Sequence, residues 1–472
     1  MSVYVWHDGS SALSPLLSKL TVQHGASMEN LTGIKEIIHW CGDDRILNAK
    51  KCLVLNHSSY TKLLLDENKI HTTLQLHSII YTPPHRSASN WLVKQHDPHY
   101  LIPVFLMEAL AIFHLDGEDS LTLKRDSDSH MLYEVRNEQK TALLRRLERY
   151  AVRAVYAMGL DYACVYAQVQ RSGKAVITRI DINPIQSEQV IDLYAQAVND
   201  YSNGWLSEEL ERKPAIFGMD PEFLLRNTQG RIVPASRYLP AKGSVGYDSA
   251  TVLGRRQLHP LAELRPEPSE KLAVLVNNLR RTMWKAAAQI TDHSLQWIAG
   301  GMPVPGLPLG GHLHMSGIRL NTRLIRAMDN YLALPLIMIE DTSTRGRRKK
   351  YGRLGDVRRP SHGGFEYRTL PSWIVSPRVT KGVLALASLI VKHYEELVDR
   401  PLDRSEILIA YREGNKHVLE PIVRSLWLQL EGTAGYIDQH KYLEPLKNWI
   451  MEQRIWNEQL DFRAVWRIPP FN

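Results

Sequence analysis

The sequence predicts an α+β protein built from two unlike units, the second ending in a helical tail. Three observations lead there. The chain has 472 residues, more than one hydrophobic core usually fills, so two or three domains are expected. At residues 200–218 a polar segment, DYSNGWLSEELERK, gives way after Pro214 to the apolar start of a strand, as a linker does on entering a new domain. Beyond about residue 381 the apolar residues fall mostly at helical spacing. The expected units are residues 1–205 and 214–472, with the tail from about 381.

In the first unit, residues 140–156 place Leu143, Leu147, Tyr150, Ala151 and Ala154 three and four apart, the pattern of an amphipathic helix with a basic outer face. Residues 162–170 and 175–182 are rich in Val, Ile and Tyr and are joined by RSGK, which predicts a strand pair. Alternation would then turn Asp181 and Asn183 to the same side. The second unit opens with a strand expected over 215–225, containing Asp220-Pro221-Glu222. A helix capped by Ser269 follows, with Leu272, Leu275, Val276, Leu279 and Met283 as its core stripe. In the tail, Leu384, Leu386, Leu389, Ile390 and Leu397 mark one segment and Ile422, Leu426 and Leu430 another, expected to pack against the sheet.

A hydrophobic fraction of 44% with 23% charged residues excludes a mostly disordered chain. Lys and Arg exceed Asp and Glu by 58 to 50, a net +8, which favours a polyanionic partner: nucleic acid, an acidic polymer or nucleotide phosphates. Cys41, Cys52 and Cys164 are too few and too scattered for a disulfide framework or a zinc cluster, which points to a reducing compartment. Asp8 interrupts the start where a signal peptide needs an apolar stretch. The most apolar run, 101–113, is broken by Glu108 and falls short of the roughly 20 residues of a membrane helix. A cytoplasmic protein without a membrane partner is expected.

Four clusters in the second unit carry chemistry. In GMDPEF (218–223), Asp220 and Glu222 stand two apart, so on one strand they share a face and suit a hard divalent cation. A solvated acidic pair is the plain alternative, weakened by the apolar flanks. In residues 258–266, Glu263 and Arg265 are again two apart and read equally as a ligand with its neighbour or as an ion pair. In GGHLHMSG (310–317), His312 and His314 alternate after paired glycines that allow close backbone approach. Finally, residues 345–359 hold eight Arg or Lys against Asp356, and a short strand with Glu366 and Arg368 follows. A basic loop of this kind binds nucleic acid, lies in solvent, or wraps nucleotide phosphates; the strand beside it favours the last.

In this order the motifs GMDPEF, GGHLH, YGRLGDVR (351–358) and GFEYRT (364–369) resemble the glutamine synthetase-like carboxylate–amine ligases, and more closely the phage and bacterial amidoligases. The resemblance implies a curved antiparallel sheet holding ATP and Mg2+ or Mn2+. It implies Asp220, Glu222, His312 and Glu366 as metal ligands, with Glu263 as a further one. Arg368 and the bases Arg345, Arg348, Lys350, Arg353 and Arg358 would hold phosphates. Asp220 departs from the longer Glu of glutamine synthetases themselves. The implied reaction is ATP-dependent amide formation through an acyl phosphate, with Glu366 and Arg368 at the reacting phosphate. Asp248 is a candidate for binding or deprotonating the amine, against the alternative of an ordinary turn aspartate. The implied partners are a carboxylate and an amine, borne by a peptide, amino acid or cell-surface polymer; nucleic acid is disfavoured and a homo-oligomer is left open.

The first unit resembles the ATP-grasp enzymes, especially the spore-coat-associated type, through residues 56–73, 100–113, GLDYACVYA and RIDINP. There the last strand ends in a metal-binding acid and an Asn before Pro, matched by Asp181 and Asn183. The segment between Pro84 and His99 is too short for the family's glycine-rich lid, and Tyr166 stands where an acid is expected. The implied unit is a truncated, smaller ATP-grasp-like domain acting as scaffold or docking module. Against the ligase reading stand a non-catalytic assembly protein retaining the fold, a nucleic-acid binder using the 345–359 loop, and a zinc hydrolase built on His312 and His314, which lacks a third ligand of the usual kind.

Overall fold

A computed structural model describes residues 3–27, 33–40, 52–83, 97–115, 132–183, 187–211, 214–250, 258–349, 351–360 and 363–470. The chain divides into two compact units, Met1–Arg212 and Lys213–Asn472. Both mix helix and sheet, and the class is α+β.

In the first unit β1 (Val3–His7), β2 (His24–Gly25), β3 (Glu36–Trp40) and β4 (Leu53–Leu55) form a parallel sheet in the order β2-β1-β3-β4. β1 and β3 are buried along their whole length, which requires the near-continuous apolar runs they carry. Helix α1 (Glu67–Leu76) starts from Asp66, whose carboxylate accepts the N–H groups of Asn68 and Lys69. A second, antiparallel sheet is ordered β10-β9-β5-β7-β8. Its strands are β5 (His99–Phe105), β6 (Glu108–Ala109), which pairs with β5 off this path, β7 (Phe113–Leu115), β8 (Leu132–Glu134), β9 (Tyr162–Val169) and β10 (Ala175–Asp181). Between β8 and β9 runs α2 (Ala142–Ala157), and α3 (Glu188–Glu211) closes the unit.

Two sequence expectations shift here. Thr141 caps α2 by accepting the N–H of Leu144, and the buried stripe is Leu144, Leu147, Ala151, Ala154 and Val155, so Leu144 faces the core while Leu143 is only half-buried. The strand pair β9–β10 forms through the RSGK turn, where Gly173 takes φ +75°. β10 stops at Asp181, however: the backbone N–H of Asn183 donates to Asp181 Oδ1 at 2.9 Å. That side-chain turn ends the strand, so Asp181 and Asn183 do not share a strand face.

In the second unit the strand expected over 215–225 is two strands, β11 (Ile216–Met219) and β12 (Glu222–Arg226), in different sheets. Pro221 has no N–H to give to a ladder, and the pairing breaks there. β13 (Ile232–Val233), β14 (Val245–Ala250), β15 (Leu258–Leu264) and β16 (Gln296–Ile298) complete the sheet of β12, ordered β13-β12-β15-β14 with β16 also on β12. Between β15 and β16 lies α4 (Leu272–Gln289), which packs on β14 and β15 and buries Leu275, Val276, Leu279 and Met283. Its first turn follows Lys271, and Ser269 Oγ accepts the Lys271 N–H, so the serine stands outside the cap position.

β17 (Leu313–Ser316), α5 (Thr322–Met328), α6 (Thr344–Arg348), β18 (Val357–Arg358) and β19 (Phe365–Tyr367) come next, and the second antiparallel sheet is β11-β17-β19-β18. The tail consists of α7 (Pro377–His393), α8 (Ser405–Glu413), α9 (Lys416–Glu431) and α10 (Tyr436–Met451). Helix α7 is apolar nearly all round because it is enclosed by other helices: it packs chiefly on α10, α4 and α5. The tail meets the sheet as expected at its far end, where Phe462 packs on Phe223 of β12 and Trp297 of β16 and its N–H donates to the Trp297 carbonyl at 3.1 Å, while α7 packs through α4. Among the described residues no helix is long and apolar enough to cross a membrane.

Candidate active site

The two sheets of the second unit meet at Asp220-Pro221, and the site is built on that seam. β17 is its spine: His314 stands opposite Gly218 of β11 and Glu366 of β19, and Arg358 of β18 stands opposite Glu366. Residues two apart share a face, so Asp220, His312 and Arg368 form a second row on the same side. The backbone supports this row, with the Asp220 N–H directed at the His312 carbonyl at 3.4 Å and the Glu222 N–H at the Gly310 carbonyl at 2.9 Å. A Cβ on Gly218 would come within 3.3 Å of His314 Cβ, so glycine leaves the imidazole its room.

His312 lies at the centre. Its Nδ1 is 3.2 Å from Asp220 Oδ1 and 3.1 Å from Glu366 Oε1, while Nε2 is 3.1 Å from the Tyr351 hydroxyl. His314 Nε2 is 3.1 Å from Asp220 Oδ2. Glu366, with a side chain 0% exposed, also meets Arg358 at 2.5 Å and Arg368 Nε at 3.1 Å. One donor atom from each of Asp220, His314 and Glu366 lies within 4.8 Å of the others, a spacing that admits a cation.

Behind this row Glu222 of β12 stands directly opposite Glu263 of β15, and both are buried. Like charges facing each other across a ladder are destabilising unless something neutralises them. The Gly310 N–H donates to Glu222 Oε2 at 2.6 Å, and Arg265 pairs with Glu263.

The protonation of the cluster follows from these contacts. Burial pushes Glu222 up to about 7 against the pull of His312 and the Gly310 N–H. Burial and the Asp220 charge push Glu263 up to about 8, with Arg265 opposing. Burial would raise Asp220 too, but the two imidazole donors outweigh it and hold the carboxyl well below its ordinary value. Glu366 is lowered by His312 in the same way, against its burial. Burial opposes charge on His312, yet its bonds to Asp220 and Glu366 win and raise it well above the usual imidazole value.

The residues fit a divalent cation. Carboxylate oxygens of Asp220 and Glu366 and a His314 nitrogen stand within 4.8 Å of one another, His312 touches both acids, and the opposed pair Glu222 and Glu263 has Arg265 as its cationic partner.

The structure therefore brings together Asp220, Glu222, Glu263, His312, His314, Glu366 and Arg368, with Arg358 at the edge. Asp248 lies on β14 and not in a turn; it is exposed, and its charge acts on Glu222. The basic segment behaves differently from the phosphate loop expected of it. Residues 344–348 are helical. Arg348 is buried in an ion pair with Glu340 and lies over the Tyr411 ring, and Arg345 pairs with Glu413, so both expected phosphate ligands are engaged by acids outside the cluster. Arg347 is 1% exposed and donates to the carbonyls of Leu309 at 2.7 Å, Thr369 at 2.8 Å and Leu370 at 2.5 Å, stapling the start of β17 to the end of β19. Arg353 lies half-buried in the turn before β18, and its carbonyl accepts from Thr369. Lys350 lies outside the described residues.

Tyr351 is the site residue to which the sequence assigned no role. Its signal was the Tyr-Gly pair closing the basic run, for Gly352 takes φ +60° and a Cβ there would strike Arg347. Asp329, just past α5, holds the other side of this turn through the Gly355 N–H at 2.7 Å and the Tyr367 hydroxyl at 2.6 Å.

No curated protein sequence matches the chain. Among solved structures it is similar to D-alanine–D-alanine ligase from Bacillus anthracis, at 11% identity over 45% of this chain and 100% of that one, with a TM-score of 0.32. It is also similar to the ATP-grasp ligase PsnB complexed with minimal precursor, at 8% identity over 39% of this chain and 91% of that one, TM-score 0.28. A bifunctional glutathione synthetase from Pasteurella multocida matches at 12% identity over 57% of this chain and 51% of that one, TM-score 0.33. The family model described as Phage phiEco32-like COOH.NH2 ligase-type 2 matches residues 217–468, more than half of the chain and the whole of the site above. The chain belongs to that family, and with it to the enzymes that join a carboxylate to an amine.

Proposed function

We propose that the second unit forms an amide or isopeptide bond at the expense of ATP, with Mg2+ or Mn2+ held by Asp220, Glu222, Glu263, His312 and Glu366. The observation that carries the reading is the meeting of Asp220 and Glu366 on His312, with Arg358 and Arg368 on the same Glu366. The cation, when bound, neutralises phosphate charge as it develops. Arg368 and Arg358, already aimed at Glu366, receive phosphate oxygens beside it, and Arg353 stands in the adjoining turn.

The reaction runs in two steps. A substrate carboxylate oxygen attacks the γ-phosphorus, the bond to the bridging oxygen of ADP breaks, and an acyl phosphate forms. The amine nitrogen then attacks the carbonyl carbon, gives up a proton, and the carbon–oxygen bond to phosphate breaks. Asp248, exposed on β14 and within electrostatic reach of Glu222, is the acid placed to hold the amine or take its proton. The substrates are a peptide, an amino acid or a cell-surface polymer bearing these groups, in the cytoplasm, and the first unit serves as scaffold or docking module.

The test is ADP release in the presence of ATP and Mg2+, which should require both a carboxylate and an amine. Glu366→Ala leaves Arg358, Arg368 and His312 without their shared carboxylate, and turnover should fall at least about a hundredfold. Unchanged turnover in that variant would refute the assignment.

A further inference from the structure

Tyr351 touches both halves of the site. Its hydroxyl is 3.1 Å from His312 Nε2 and 3.1 Å from Arg368 Nη2. Its ring lies 5.2 Å from the Arg347 guanidinium and 5.8 Å from that of Arg368. Its backbone N–H donates to the Arg347 carbonyl at 2.8 Å. Arg347, bonded to three carbonyls, is fixed, and Tyr351 is fixed on it.

The protons at this junction can be counted. A guanidinium only donates, so Arg368 takes one lone pair of the phenol oxygen. The Nδ1 atom of His312 faces two carboxylate oxygens, Asp220 Oδ1 and Glu366 Oε1. A nitrogen in that position either donates a proton to the carboxylates or, with a cation among them, offers its lone pair. The second state requires the ring proton to sit on Nε2 and to have an acceptor there. Gly310 crowds that side of the ring, since a Cβ on it would lie 2.2 Å from Nε2. Among the described residues the Tyr351 oxygen is the hydrogen-bond partner of Nε2.

We propose that Tyr351 is a positioning residue: it accepts the Nε2 proton of His312, leaving Nδ1 free for a divalent cation, and at the same time holds Arg368 beside Glu366. This rests on the cation site proposed above. Tyr351 thereby couples the cation side of the site to its phosphate side through one oxygen atom. Tyr351→Phe keeps the ring over Arg347 and Arg368 and removes only that oxygen.

The experiment is calorimetric titration of Mn2+, and separately of ATP in the presence of Mn2+, into the full chain and into Tyr351→Phe. The wild-type chain binds Mn2+; absence of binding would remove the cation site itself. Tyr351→Phe should bind Mn2+ about ten- to a hundredfold more weakly, the usual cost of losing a partner that orients a metal-bound histidine, with an unchanged melting temperature in the absence of cation. ATP binding should weaken as well, because Arg368 loses its anchor. Mn2+ affinity within twofold of wild type would overturn the role of Tyr351 and leave the cation site standing. Should the variant not fold, 15N-histidine spectra of the wild-type chain with Mg2+ decide the matter. The resonance lost in His312→Gln must report the proton on Nε2, and a proton on Nδ1 would overturn the proposal.

Discussion

Each of the two units carries a carboxylate near the end of a strand, and they are neutralised in opposite ways. In the first unit Asp181 is met by Arg179 two residues before it and by the Asn183 N–H two residues after it. Arg179 lies over the Tyr166 ring, where the resemblance called for an acid. The charge is balanced locally, on a partly exposed edge. In the second unit Asp220, Glu222, Glu263 and Glu366 are all buried and come from three segments of the chain, around residues 221, 263 and 366. Their burial holds Glu222 and Glu263 above their ordinary range. Arg265 meets Glu263, and Arg358 and Arg368 meet Glu366, but Glu222 stands opposite Glu263 with the Gly310 N–H as its donor, so the buried acids outweigh the local balance that Asp181 enjoys.

The basic segment offers the same lesson in miniature, and it supplies the largest effect expected. Arg348 and Glu340 are both buried and form an ion pair, so Arg348→Ala leaves an uncompensated carboxylate and should cost about 3–5 kcal/mol of stability. Denaturant unfolding measures it. A loss of ATP affinity at unchanged stability would instead return Arg348 to the phosphate site.

The pH dependence of stability separates the two kinds of carboxylate. Glu222 and Glu263 have folded-state values raised to about 7 and about 8, so the native chain holds more protons than the unfolded one above their unfolded values. Their contribution is complete below about pH 4.5 and is lost as the pH rises to about 8. His312, also raised, has the same sign: its contribution is present below its unfolded value and is lost as the pH rises through its folded one. Asp220 and Glu366 are lowered, so their contributions are present above their unfolded values and are lost in acid. Between about pH 5 and 8 the raised groups dominate. The melting temperature of the cation-free chain should therefore fall across this range, and saturating Mg2+ should flatten the slope. A melting temperature that rises from pH 5 to 8 without cation would contradict the described balance.

The four ordered motifs made much of this site legible, because the residues that meet on the seam sit at strand spacing within each motif. His314 and Glu366 follow from alternation and the choice of acid and imidazole, whereas Asp220 and Glu222, expected on one strand face, lie on either side of the break at Pro221. The break at Pro221 was also visible in principle, since a residue without an N–H cannot continue a ladder. What the sequence concealed depended on partners distant along the chain. Arg347 is interior because the carbonyls of Leu309, Thr369 and Leu370 surround it, and no local pattern announces that. From composition alone Arg347 and Arg358 are equivalent; in the fold one is a staple and the other is exposed beside Glu366. The role of Asn183 failed for the complementary reason, because a short side-chain turn overrode strand alternation.

Arg358 and Arg347 can be set against each other directly. Arg358 has a side chain 55% exposed and touches the site through Glu366. Arg358→Ala should raise KM for ATP about tenfold while moving the melting temperature little, as expected for a phosphate contact outside the core. Steady-state kinetics beside a thermal melt checks it. Arg347→Ala should instead lower stability and expression, since three buried carbonyls lose their donor.

The smallest effect is expected at the carboxylate of the first unit. Asp181→Asn removes its charge but can keep the side-chain acceptor that receives the Asn183 N–H, and Arg179 retains the Tyr166 ring beneath it. A partly exposed pair of this kind contributes about 1 kcal/mol or less. ADP release should stay within about twofold of wild type, because Arg179 already occupies the carboxylate that a cation would need. If Asp181→Asn abolished turnover as fully as Glu366→Ala, the local neutralisation seen in the first unit would be a resting arrangement that substrate displaces, and both units would be chemical.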